Sequence, residues 1–171
     1  DTRSEVRMAA INGFRSFTPE RSVAILSGIF KAATDPRIRI SAVRVCQNYP
    51  LKECFPLVYE GLVDSVELVA VAASEVIIQR MDASLYDNLK DAPITTSFRT
   101  KANLLAAFLA TSSDQKIWQQ AAAQYQQSAG YEKAAIASAI GKSGKSFYRK
   151  AFELLSQEAM NTKELPVVQT A

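Results

Sequence analysis

Residues 35–43 read Asp35-Pro36-Arg37-Ile38-Arg39-Ile40-Ser41-Ala42-Val43, and this stretch predicts the start of a helix. Asp35 is able to accept hydrogen bonds from the free backbone N–H groups of a helix start. Pro36 suits the first turn, because its missing N–H has no partner there. Ile38, Ala42 and Val43 follow at the spacing of one helix face. Ala42 is small, so we expect a neighbouring helix to approach closely at this point.

The same pattern recurs along the chain at a nearly constant interval. Each copy begins with an apolar or aromatic residue and has an alanine four positions later. The copies begin at Val6, Ile38, Leu68, Phe98 and Tyr131. The steps between them are 32, 30, 30 and 33 residues. A period in this range is typical of repeat proteins in which each repeat packs on its neighbours.

A second helical pattern lies between successive copies, so each repeat is predicted to be a hairpin of two helices. Helix A carries the recurring pattern and helix B follows it. Apolar residues at helical spacing predict five B helices. In chain order they are Val23, Leu26, Ile29 and Phe30, then Phe55, Val58, Tyr59 and Leu62, then Leu85, Tyr86 and Leu89, then Ile117, Trp118, Ala121 and Tyr125, then Phe147, Phe152, Leu154 and Leu155. No segment shows the alternation of a strand bounded by turns, so we predict no sheet.

Local signals predict where four of the B helices begin. Pro56 is predicted in the first turn of the second B helix, and Ser113-Asp114 precedes the fourth. Asp82 or Ser84 is the predicted cap of the short third B helix, which ends before Pro93. The fifth is predicted to follow Gly144.

The whole chain, residues 1–171, is predicted to form a single domain of stacked hairpins. The hairpins cover about residues 1–34, 35–63, 64–93, 94–128 and 129–160. Residues 161–171 are interpreted either as the start of a sixth hairpin, because Val167 precedes Ala171 by four positions, or as a tail. On the first interpretation the chain is a fragment that stops inside a longer solenoid, and a chain that begins at Asp1 rather than Met fits that expectation.

The repeats resemble the HEAT-repeat family, in particular its short bacterial form. The resemblance rests on the pairs Asp35-Pro36, Val6-Arg7 and Ile38-Arg39 and on the alanines Ala10 and Ala42. The later copies depart from the pattern, because Val69 and Glu132 replace the arginine and Asn103 interrupts the apolar residues. The resemblance implies an all-α fold, a right-handed alpha-alpha superhelix of about five helical hairpins. Such solenoids serve many unrelated functions.

Composition is that of a soluble globular protein, with 48% hydrophobic and 22% charged residues. The net charge of +3 is too small to indicate nucleic acid by itself. No apolar run approaches the roughly 20 residues of a membrane helix. No signal peptide is recognised, and the sequence does not indicate a compartment.

Residue types exclude most catalytic and metal sites. The chain has no histidine and two cysteines, so it lacks the groups for a Ser-His-Asp triad, a Cys-His pair or a common zinc site. We therefore predict no catalytic residue, no metal and no cofactor, and a protein that is not an enzyme. Cys46 and Cys54 either pair or remain free buried thiols, and we predict free thiols.

Glycines and lysines in Gly141-Lys142-Ser143-Gly144-Lys145-Ser146 look like a phosphate-binding loop. A nucleotide P-loop needs a further glycine at the position of Ala139 and a strand before it. Neither is present, so the segment is predicted to be the turn between an A helix and a B helix, with Ser146 near the start of the B helix.

In HEAT-like proteins the B helices usually line the concave face, where partners bind. The resemblance therefore implies a protein-binding face made by polar residues of the B helices: Arg21, Lys31, Glu53, Glu60, Asp87, Asn88, Gln120, Gln124, Arg149 and Glu153. Solvated helix faces that bind nothing are the alternative. Arg7, Arg39 and Arg99 share one repeat position, where we expect their aliphatic stems to pack between hairpins.

Three functions are compatible with these residues. The first is a monomeric scaffold that binds another protein or an adjoining domain of the same polypeptide. The second is an accessory region of a larger bacterial enzyme, for example one with a cyclophilin-type peptidyl-prolyl isomerase domain. The third is nucleic-acid binding in the manner of HEAT-like DNA glycosylases, which requires a basic concave face. The predicted face is mixed in sign, which argues against nucleic acid there.

Overall fold

A computed structural model describes residues 3–80, 83–92 and 97–160 of the chain. All regular structure in these residues is helical, which confirms the all-α prediction for this part of the chain. The helices are α1 (Ser4–Gly13), α2 (Pro19–Ala32), α3 (Pro36–Val45), α4 (Leu51–Leu62), α5 (Glu67–Arg80), α6 (Tyr86–Leu89), α7 (Phe98–Thr111), α8 (Gln115–Gln127), α9 (Gly130–Gly141) and α10 (Tyr148–Ala159).

Two helices have a side-chain cap at the residue where the sequence predicts one. Asp35 precedes α3 and its carboxylate accepts a hydrogen bond of 2.9 Å from the Arg37 backbone N–H. Asp114 caps α8 in the same way through the Lys116 N–H. Hydrogen bonds from Arg37 and then from Ser4 hold the pKa of Asp35 well below its usual range. A carboxyl whose pKa is lowered by folding stabilises the fold above its unfolded pKa, and this contribution is lost in acid.

Two other predicted helix starts are corrected by the structure. Pro56 lies inside α4 rather than in its first turn, because the buried side of the helix continues back through Cys54 to Leu51. Pro56 lies on the exposed side of α4, so its ring contacts solvent and not the core. Ser84 lies in a 3-10 turn and does not cap α6, which has no side-chain cap. Asp82, Pro93 and residues 161–171 lie outside the described residues.

The chain divides into two compact units, Asp1–Thr100 (unit 1) and Lys101–Ala171 (unit 2). The division falls in the first turn of α7. In unit 1, α3 packs against α1 and α5, and α2 packs against α3 and α4. Its core is formed by fully buried side chains of these helices, including Leu26, Ile38, Val43, Leu57 and Ile77. Ala42 is fully buried in this packing, as expected for a close contact.

Hydrogen bonds in unit 1 join residues that lie about one repeat interval apart. Bonds between positions 30 to 35 residues apart include Ser4 to Asp35, Tyr49 to the Phe14 carbonyl, Arg80 to the Gln47 carbonyl and Ser97 to Glu67. These separations match the interval at which the sequence pattern recurs. Corresponding ends of successive helix pairs are therefore in contact within this unit.

Unit 2 is built from α8, α9 and α10 with the greater part of α7. Helix α9 packs against both α8 and α10. Trp118 stacks on the buried Phe147 ring with 5.8 Å between centroids. The buried Lys133 ammonium lies 3.3 Å from the Glu158 carboxylate and 5.0 Å from the centre of the Tyr125 ring. This cation joins α9 to α8 and α10.

Gly144 holds the turn between α9 and α10 against the end of α7. Its backbone N–H donates a hydrogen bond of 3.0 Å to the Leu109 carbonyl. A Cβ at this position would lie 2.4 Å from the Ala110 carbonyl oxygen. The segment is a turn, as predicted, and its glycine is needed for close approach of two backbones.

Candidate interaction surface

Helices α2 and α4 carry four of the ten residues predicted for the binding face. Arg21, Lys31 and Glu53 are exposed, and Glu60 is half-buried. The Lys31 ammonium lies 2.9 Å from the Glu60 carboxylate, which joins α2 to α4. Both side chains remain accessible to solvent, so this contact is a surface ion pair worth about 1 kcal/mol or less.

Helix α6 carries two more of the predicted residues, Asp87 and Asn88, and both are exposed. The Asp87 carboxylate accepts a hydrogen bond of 2.7 Å from the Lys90 ammonium at the end of the same helix. This contact raises the pKa of Lys90. The pair is local to α6, a helix of four residues.

The last four predicted residues lie in unit 2. Gln120 and Gln124 are exposed on α8. Arg149 and Glu153 are exposed on α10, and the Arg149 Nε lies 3.1 Å from the Glu153 carboxylate. Two of the three arginines and lysines in the predicted set are thus paired with acidic members of the same set. The set is polar and mixed in sign within each unit.

Arg39, one of three arginines at a shared repeat position, has a polar role that the sequence did not indicate. Its Nε lies 2.8 Å from the Asp64 carboxylate, and its Nη1 donates to the Ala33 carbonyl at the end of α2. The two side chains are 14% and 9% exposed. Arg39 is therefore engaged inside unit 1, whereas Arg7 is half-buried and Arg99 is exposed.

Several large apolar side chains are exposed at positions that the sequence interpretation missed. In unit 1 these include Phe17, Ile25 and Leu68. In unit 2, Tyr148 and Phe152 of α10 are 67% and 63% exposed. Phe152 belongs to the predicted apolar pattern of the fifth B helix, but its side chain does not lie in the core. The inward face of α10 is defined by Ala151, and Phe152 is the next residue, about 100° further around the helix.

Each unit also has a surface groove, and only the groove in unit 2 includes exposed apolar side chains named above. The groove in unit 2, about 300 Å³ in volume, is lined by α10 residues such as Tyr148, Phe152 and Leu155 and by Gly141 at the end of α9. The groove in unit 1, about 740 Å³, is lined by residues 48–52 with Gln79 and Arg80. Neither groove brings together an acid, a base and a nucleophile.

Both cysteines are free and fully buried, as predicted. The Cys54 thiol donates to backbone carbonyls of the preceding turn, with 3.7 Å to the Leu51 oxygen. A hydrogen bond with Cys54, together with burial, raises the pKa of the Cys46 thiol. Neither sulfur is therefore an exposed thiolate.

The part of the chain that the structure describes has neither a metal-binding cluster nor a membrane-spanning helix. No three cysteine, aspartate or glutamate side chains there are grouped to hold a metal ion. No helix among residues 3–80, 83–92 and 97–160 is long and apolar enough to cross a membrane.

No family model, no curated protein and no solved structure matches this chain with significance. The HEAT resemblance thus rests on the sequence pattern alone. Its use in assigning a function is a proposal.

Proposed function

We propose that this chain is a non-catalytic scaffold that binds another protein, or an adjoining domain, through its B helices. In this proposal the hairpins form a HEAT-like right-handed superhelix. The hydrogen bonds that join positions 30 to 35 residues apart in unit 1 carry the proposal. Regular contacts between corresponding positions are what a stacked repeat architecture requires.

The surface of α2 and α4 has the composition of a protein interface. Arg21 and Glu53 are exposed on α2 and α4. Ile25 is 50% exposed on α2, and Gly28 has open space where a Cβ would lie. Non-obligate protein interfaces are about as apolar as the rest of a protein surface. The mixture of groups on α2 and α4 is therefore compatible with a protein partner.

The test is a charge exchange on the B helices of unit 1. The variant Arg21→Glu/Glu53→Lys keeps the net charge, and it is expected to weaken partner binding at least about tenfold because charge complementarity is reversed. The partner is first captured with the wild-type chain, and its Kd for each variant is then measured by calorimetry.

Arg15→Glu/Glu132→Lys is the matched control, since it exchanges two exposed charges that lie outside the B helices. It is expected to bind within about twofold of the wild type. Circular dichroism verifies that both variants are folded. Equal affinities of the two variants for every captured partner would contradict the proposal.

A further inference from the structure

The segment from residue 142 to residue 150 concentrates positive charge in unit 2. It contains four basic residues, Lys142, Lys145, Arg149 and Lys150, and no acidic residue. All four are exposed. The proposed B-helix face of the whole chain is mixed in sign, so this concentration is a separate feature of the surface.

A contact with α8 adds a fifth cation. The Lys150 ammonium donates a hydrogen bond to the side-chain oxygen of Gln115, the first residue of α8. The next residue, Lys116, is exposed. We name the five residues Lys116, Lys142, Lys145, Arg149 and Lys150 the basic patch.

Two acidic residues adjoin the basic patch. Asp114 caps α8 through the Lys116 N–H, and Glu153 lies 3.1 Å from the Arg149 guanidinium. Five cations therefore face two carboxylates, and the patch keeps a local excess of about three positive charges.

The turn that carries Lys142 and Lys145 is held in place by backbone contacts. Gly144 donates to the Leu109 carbonyl, and the Ser143 hydroxyl donates to the Ile140 carbonyl at 2.6 Å. The Phe147 N–H donates to the Gly144 carbonyl. A turn that is already ordered loses little entropy when a ligand binds.

The groups around the basic patch are those that contact nucleic-acid backbones. Phosphates are bound by lysine, arginine, serine and tyrosine side chains and by helix N-termini. Ser146 is exposed in the turn, and Tyr148 is 67% exposed in the first turn of α10. Helix α10 begins at Phe147 without a side-chain cap and has no acidic residue in its first turn.

We propose that the basic patch binds single-stranded nucleic acid, with its cations on the phosphates and the Tyr148 ring stacked on a base. Lysine and arginine both bind phosphate, lysine as a point charge, so the local excess of cations is complementary to a phosphate backbone. The exposed Tyr148 ring lines the same groove as Gly141 and Ser143, next to the turn that carries Lys142. An aromatic ring near cations is the second element of single-strand binding, because every base presents a face for stacking. The basic patch shares Arg149 with the predicted B-helix face, but the proposal depends on its excess of positive charge and predicts no preference for sequence.

The test uses the full chain and a fluorescein-labelled oligonucleotide of about 20 nucleotides, with binding followed by anisotropy. For about three phosphate contacts, the affinity is expected to fall about 20-fold between about 50 and 200 mM salt. Lys142→Glu/Lys145→Glu/Lys150→Glu is expected to lower the affinity at least about tenfold and to remove most of this salt dependence.

The matched control reverses three exposed charges elsewhere, Arg15→Glu/Lys52→Glu/Lys101→Glu, and is expected to bind within about twofold of the wild type. Lys142→Gln/Lys145→Gln replaces the triple variant if that protein does not fold, because these two side chains lie in the exposed turn. Equal loss in the patch and control variants would overturn the proposal, since net charge alone would then explain the binding.

Stacking is tested separately from charge. Tyr148→Ala is expected to lower the affinity about tenfold, while Tyr148→Phe keeps the ring and binds within about twofold of the wild type. Poly-glutamate and phosphatidylserine vesicles are the competing anions. The proposal is overturned if either competes as well as unlabelled oligonucleotide at equal charge, or if Tyr148→Ala binds like the wild type.

Discussion

Gly144 shows how a single residue controls the packing of unit 2. Its position was predicted to be a turn, but the reason for a glycine lies in another element. The backbone at residue 144 approaches the carbonyl end of α7 so closely that a methyl group would overlap the Ala110 oxygen. The same approach lets the Gly144 N–H satisfy the Leu109 carbonyl, one of the free acceptors near the end of α7.

We predict that Gly144→Ala destabilises the protein by about 1–3 kcal/mol, because two backbones must separate to admit the Cβ. Urea unfolding followed by circular dichroism measures this change. Gly28→Ala is the control, since Gly28 lies in the middle of α2 with nothing within 4 Å of an added Cβ. It is expected to stabilise the protein by about 0.5–1 kcal/mol. Equal midpoints for the two variants would rule out the close approach at Gly144.

At the scale of elements, Arg39 connects three parts of unit 1. It belongs to α3, it binds the carbonyl of Ala33 at the end of α2, and it pairs with Asp64 beyond the end of α4. Asp64 in turn accepts a hydrogen bond of 2.8 Å from the Val66 N–H, just before α5. One guanidinium and one carboxylate thus hold the α2–α3 and α4–α5 connections against α3.

We predict that Arg39→Met destabilises the protein by about 3 kcal/mol, because it leaves the buried Asp64 carboxylate without its cation. The double variant Arg39→Met/Asp64→Asn is expected to be less destabilised than the sum of the two single variants. Asparagine keeps an acceptor for the Val66 N–H while removing the charge. The cycle is measured by urea unfolding.

The pair Arg44–Glu75 provides the comparison for this cycle. It joins α3 to α5, with 3.4 Å between the charged atoms, and its side chains are 48% and 38% exposed. Its coupling free energy is expected to be below about 1 kcal/mol. If the coupling free energy of Arg39 and Asp64 were equally small, burial would not strengthen their ion pair.

For the whole molecule, the division into two compact units predicts which amides lose protection when a residue is substituted. Arg39→Met breaks contacts of unit 1, and Gly144→Ala breaks contacts of unit 2. Hydrogen exchange measured by mass spectrometry is expected to speed up first in the unit that carries the substitution, because its own contacts protect its amides. Faster exchange in the other unit alone would contradict this division.

The sequence by itself determined the helical class of the described residues and several helix starts. Those properties depend on neighbours within one or two turns, as in Asp35 with the Arg37 N–H. The local sequence pattern was insufficient where contacts in the core determine which side of a helix is buried or how far the helix extends. For that reason Pro56 was misplaced in α4, and Phe152, part of the apolar pattern of the fifth B helix, lies outside the core.

Only the tertiary structure decided which distant side chains meet. The Arg39–Asp64 pair joins residues 25 positions apart, and the Lys150–Gln115 contact joins residues 35 positions apart. Their formation depends on how helices pack, and a one-dimensional pattern of apolar residues does not carry that information. The stretch from Asp35 to Val43 illustrates both what local sequence determines and what tertiary packing determines. Its cap and its buried face follow from local chemistry, whereas the partner of its second arginine depends on the connection after α4.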